Sequence, residues 1–66
     1  MKVGDSVKIL VKIENKKILR AKISYKANKS KLYPYDFVAA FTYATYEGGE
    51  LDDELGFKKS ELEVIK

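Results

Sequence analysis

Thirteen Lys or Arg, ten Asp or Glu and five tyrosines carry nearly all the chemistry open to this 66-residue chain, which has neither histidine nor cysteine. Without histidine the commonest general base and metal ligand is missing. Without cysteine there is no disulfide framework and no thiolate zinc site. The one dense acidic stretch, Glu50, Asp52, Asp53 and Glu54, lacks the Asp-x-Asn/Asp-x-Asn/Asp-Gly order of a calcium loop. It reads as a solvated hairpin tip that discourages edge pairing. Paired carboxylates can do acid–base work in a cleft, but a domain this small leaves little room for one. No catalytic, metal or cofactor site is expected, and the chain is read as a non-enzyme.

The cations and the tyrosines suggest binding. Residues 1–33 hold ten Lys or Arg against Asp5 and Glu14, a balance of +8, and residues 34–66 hold three lysines against eight acids, a balance of −5. Opposite halves can neutralise one another across a fold, or leave a basic face for an acidic partner or a phosphate backbone. On the second reading Lys8, Lys12, Arg20, Lys22 and Lys26 contact phosphates, extended by Lys29 and Lys31, with salt-sensitive affinity. Tyr25 or Tyr33 would then stack on a base. A single arginine suits base-specific readout poorly. Five tyrosines exceed what so small a core needs, and tyrosine joins an apolar body to a polar tip that suits interfaces. Tyr33, Tyr35, Tyr43 and Tyr46 are therefore the candidate protein-binding patch.

The elements that position these residues are strands. Residues 33–46, YPYDFVAAFTYATY, contain six of the eight aromatics and the only proline. Their aromatic and β-branched content predicts a long central strand. Alternation places Tyr35, Phe37, Ala39, Phe41 and Tyr43 on one face and Asp36, Val38, Ala40 and Thr42 on the other. Pro34 suits its first position. Upstream, Val7, Ile9, Val11 and Ile13 share a face, as do Leu19, Ala21, Ile23 and Tyr25. The polar Glu14–Lys17 segment predicts a turn joining these runs as a hairpin with Lys8, Lys12, Arg20, Lys22 and Lys26 outside. Residues 26–32 read as a basic loop and 47–54 as a long acidic one opened by Gly48 and Gly49. A short strand over 55–58, a capping box from Ser60 to Glu63 around one 3₁₀ turn, and a last strand over 63–66 complete the chain.

Gly4-Asp5-Ser6-Val7-Lys8-Ile9, Tyr35-Asp36-Phe37-Val38 and the run from Gly56 to Ile65 resemble SH3-like small β-barrels, above all small phage- and prophage-encoded ones. Tyr33-Pro34 with Phe41, and Glu61-Leu62 with Ile65, are also similar to subunit IV of photosystem I, although its early Ser-Tyr-Trp segment is missing. Basic chromatin-type barrels share the size and lysine content but use a tryptophan that this chain lacks. The resemblance implies an all-β, five-stranded SH3-like barrel of one domain, residues 1–66, with a single 3₁₀ turn before the last strand. The expected function is a small binding module for a protein partner, of phage or prophage type. Nonspecific DNA or RNA binding is the alternative, and a homodimer through a strand edge stays open. No apolar run reaches membrane-span length and the first five residues do not begin a signal peptide, so a cytoplasmic location is expected.

Overall fold

The computed structural model describes residues 1–65, and the chain is all-β. Its elements are β1 (Val7–Ile9), β2 (Lys17–Lys26), β3 (Phe37–Ala44), β4 (Glu50–Phe57), a 3₁₀ turn (Lys59–Glu61) and β5 (Leu62–Val64). They divide into a two-stranded β1–β5 sheet and a three-stranded β2–β3–β4 sheet, with every pairing antiparallel. Continuous backbone pairing does not close the two sheets into one. They are joined where the Gly4 N–H donates to the Ile23 carbonyl and the Ile23 N–H to that of Asp5, beside a single bridge from Ser6 to Lys22.

The expected β1–β2 hairpin does not form. β1 ends after three residues, the Leu10 N–H is taken by the Glu61 carbonyl, and β1 pairs with β5 instead. The polar turn is present, closed by a Lys16 N–H to Ile13 carbonyl bond with Glu14 at φ 48°. It ends a meandering connection rather than a hairpin. Val11 accordingly lies exposed, and Ile13 leans on the core from outside any strand.

β3 is central, but it runs from Phe37 to Ala44 and not over 33–46. Pro34 therefore lies three residues before the strand rather than opening it. The acidic stretch is not a loop. The turn is confined to Thr45–Gly49, where the Thr45 N–H donates to the Gly49 carbonyl, the Gly49 N–H donates to the Thr45 hydroxyl, and Gly48 adopts φ 81°. The chain is thus back in strand by Glu50, and Leu55–Phe57 is only the end of β4. Four carboxylates fit a strand here because β4 is an edge, exposed from Glu50 to Leu55, so each can stay hydrated. At the 3₁₀ turn the carboxylates that accept backbone bonds belong to Glu61, which receives the Lys58 N–H at 2.7 Å, and to Asp36, which receives that of Lys59; Ser60 and Glu63 do not form the expected box. The last strand is Leu62–Val64, and Lys66 lies outside the described residues.

Two one-residue register shifts rearrange β2. Ile18 pairs with Tyr43 and Arg20 with Thr42, so Leu19 is an extra residue; Ile23 pairs with Ala39 and Tyr25 with Val38, so Ser24 is another. A bulge moves everything after it to the opposite face. Ile18, Ala21 and Ile23 face the core, while Lys17, Arg20, Lys22 and Tyr25 face outward. The simple alternation that grouped Tyr25 with Ala21 and Ile23 fails for this reason. The Ser24 hydroxyl donates to the Val38 carbonyl at 3.1 Å, tying down the second bulge.

The core lies between the sheets. Phe37, Ala39 and Phe41 of β3 meet Val7, Ala21, Ile23, Phe57 and Leu62, with Ile9, Ile13, Ile18, Tyr43 and Val64 packed around them. Ala39 is 0% exposed, so the sheets can approach only because the residue is small. Full burial of a large side chain contributes about 1.5–3 kcal/mol. Phe41→Ala should cost about 3–5 kcal/mol and Ile23→Val about 0.5–1.5 kcal/mol. Urea unfolding of both variants checks this ordering; an equal, small loss in the two would place the core elsewhere.

Candidate functional site

The outer face of the β2–β3–β4 sheet carries the main concave surface with chemistry. At one end Tyr25, Tyr33, Tyr35 and Val38 line a cleft of about 450 Å³ with Glu54, Leu55 and Gly56. β3 supplies the floor through Val38, which is only 4% exposed although it faces away from the core. β2 supplies Tyr25, brought outward by the Ser24 bulge. The connection over 27–36 supplies Tyr33 and Tyr35.

That connection is held in shape by its own polar groups. The Ser30 N–H donates to the Tyr33 carbonyl and the Tyr33 N–H returns a bond to the Ser30 hydroxyl, at 3.0 and 3.1 Å. Asp36 anchors the end nearest β3. Its N–H donates to the Phe57 carbonyl, its own carbonyl accepts from the Ala27 N–H, and its carboxylate accepts the Lys59 N–H at 2.8 Å. Between these ties the Tyr33 and Tyr35 rings pack edge to face, with centroids 5.0 Å apart and planes at 75°.

Gly56 makes the cleft possible. A Cβ at this position would lie 2.5 Å from the Tyr33 Oη and 2.8 Å from the Tyr35 Cδ2, closer than side-chain atoms approach. Glycine in a strand often marks such a close approach, and that signal was available in the run Leu55-Gly56-Phe57. Its meaning needed the tertiary partner. Tyr25 and Tyr33 remain 54% and 38% exposed, so the cleft offers two accessible aromatic rings over an apolar floor.

The expected four-tyrosine patch is two separate places. Tyr43 lies six residues from Phe37 on β3, roughly 20 Å along the strand at ~3.3 Å per residue. It packs against Phe41 with centroids 6.1 Å apart. The Lys16 Nζ sits 5.2 Å from its ring centroid while bonding Glu14 at 2.8 Å. The Glu14 hydrogen bond raises the Lys16 pKa above its ordinary value. Tyr46 is fully exposed on the turn beyond β3. Tyr33 and Tyr35 share one cleft, which Tyr25 joins, while Tyr43 and Tyr46 line a separate concavity with the Glu14–Lys17 turn.

The cations are likewise dispersed. Lys8 lies in the other sheet opposite Glu63, and Lys12 lies on the connection after β1. Arg20 reaches over β3 to Glu50 at 2.8 Å. Lys22 stands in register with Glu54, separated by Ala40. Lys26 ends β2, and Lys29 and Lys31 lie exposed on the tyrosine-bearing connection. The acids are at strand spacing on β4, with the Thr42 hydroxyl donating to Asp52 at 2.6 Å. Among the described residues no group of three or more His, Cys, Asp or Glu is placed to hold a metal.

No protein-family model, curated protein or solved structure matches the chain. Gly56→Ala should force Tyr33 and Tyr35 off the sheet, costing about 1–3 kcal/mol by overpacking. The tyrosine ring proton shifts of both residues should move together in the NMR spectrum. Unchanged rings with unchanged stability would show that the pair does not rest on Gly56.

Proposed function

We propose that the chain is a small non-catalytic binding module, an SH3-like barrel, that holds an extended segment of a protein partner in the Tyr25–Tyr33–Tyr35 cleft. The barrel reading is supported by the strand order, by the 3₁₀ turn immediately before the last strand, and by the Gly4–Ser6 junction between the sheets. The observation that carries the function is the pair of exposed rings over Val38, kept open by a glycine. Tyrosine contributes a large contact area with few torsions to freeze. Aromatic-walled clefts suit apolar or proline side chains of an already extended peptide, because little ordering entropy is lost on docking. Glu54 at the rim can meet a cation on the same segment.

The test is selection from a displayed random-peptide library, followed by titration of the enriched peptides by fluorescence anisotropy. Tyr25→Ala and Tyr33→Ala should each weaken binding about tenfold or more, as central aromatic anchors do, with the fold verified by circular dichroism. Failure to enrich any peptide, or wild-type affinity in both variants, overturns the reading. A parallel titration uses single-stranded and duplex DNA at low and high salt. Tight binding that collapses with salt and weakens with Lys12→Glu plus Lys22→Glu would assign the chain to nucleic acid instead. The motive for that arm is that Lys29 and Lys31 lie exposed on the same connection as Tyr33.

A further inference from the structure

Both edges of the three-stranded sheet are strands of a single charge sign. β2 carries Lys17, Arg20, Lys22 and Lys26 with no acid, and β4 carries Glu50, Asp52, Asp53 and Glu54 with no cation. Through β3 the opposite charges stand level: Lys17–Ala44–Glu50, Arg20–Thr42–Asp52 and Lys22–Ala40–Glu54. Two strand spacings, roughly 9.5 Å, separate the members of each row. Among the described residues only Arg20 spans that distance, diagonally to Glu50. β4 has no backbone partner on its outer edge among those residues, and on β2 only the Lys22–Ile23 end is covered, by Gly4–Ser6.

From these edges we propose that copies of this chain associate edge to edge, β4 of one molecule pairing with β2 of the next. β2 and β4 both run antiparallel to β3, so they point the same way. A second copy displaced sideways, with its outer face on the same side, makes a parallel β4–β2 pair. In the register set by β3, Lys17 then meets Glu50 and Arg20 meets Asp52, each about one strand spacing apart, and the pairing ends before Lys22, whose edge the Gly4–Ser6 segment holds. The backbone pairing covers the open Lys17–Ala21 half of β2. On the core side Leu51, which is 54% exposed, comes level with Ile18. Opposite charges on neighbouring strands stabilise the pair and like charges oppose it. Pairing of β4 with β4 would face four carboxylates with four more, which selects the unlike edges. Such a contact uses different surfaces on the two molecules, so it propagates rather than closing into a dimer.

Sedimentation velocity on the full chain across a concentration series tests this. The weight-average mass should rise with concentration at low salt, and the association constant should fall about tenfold or more at high salt. Lys17→Glu with Arg20→Glu reverses the open half of β2, and Glu50→Lys with Asp52→Lys reverses the part of β4 that faces it. Each double variant alone should stay monomeric, and an equimolar mixture should associate again. A wild-type chain that remains monomeric at millimolar concentration and low salt overturns the proposal. So does a mixture that associates no better than its components. Tyr33→Ala should leave the self-association unchanged, so its failure and that of the tyrosine cleft are read separately.

Discussion

The structure depends on β3 being buried from both sides. Phe37, Ala39 and Phe41 fill the core, and Val38 and Thr42, on the opposite face, are buried as well. A strand covered on both faces must have both edges paired, because a buried backbone group without a partner is costly. β2 and β4 supply those partners along the full strand. The form of the outer face follows. It is a three-stranded surface with a floor of small residues and walls that two edge strands define.

The bulges in β2 decide what that surface carries. Without the bulge at Leu19, Lys17 would share a face with Ile23. Without that at Ser24, Tyr25 would point into the core side and the cleft would lose a wall. Each bulge leaves one residue unpaired and in return sets a charge or an aromatic ring on the outer face. The same surface therefore combines an apolar tyrosine cleft at one end of β3 with rows of opposite charge further along. Small residues at Ala40 and Ala44 keep the space between those rows low, and the long Arg20 side chain crosses it.

The all-β character, the centrality of the Phe37–Ala44 segment and the 3₁₀ turn before the last strand were legible in the chain, since aromatic and β-branched density and alternation report local geometry directly. The partner of β1 was not. Val7–Ile9 alternates equally well beside β2 or β5, and only the competition for Leu10 by the Glu61 carbonyl decides between them. The acidic stretch misled for a related reason. Carboxylates are poor strand formers by propensity, yet an exposed edge lets them remain hydrated. Of the site, Tyr33 and Tyr35 were legible as surplus aromatics beside a basic loop, whereas Gly56 and Val38 acquire roles only from what packs over them.

By itself the sequence determined the class of structure, the segment at its centre, the absence of histidine and cysteine chemistry and the opposition of charge between the halves. These are properties of composition and of neighbours along the chain. The tertiary structure decided which strands pair, which face Tyr25 and Lys17 occupy, and that Tyr43 and Tyr46 stand apart from Tyr33 and Tyr35. Those outcomes turn on single-residue register shifts and on one close approach at Gly56. A shift of one residue inverts a strand's faces while leaving its composition and nearly all its local pattern unchanged, which is why only the folded chain could settle them.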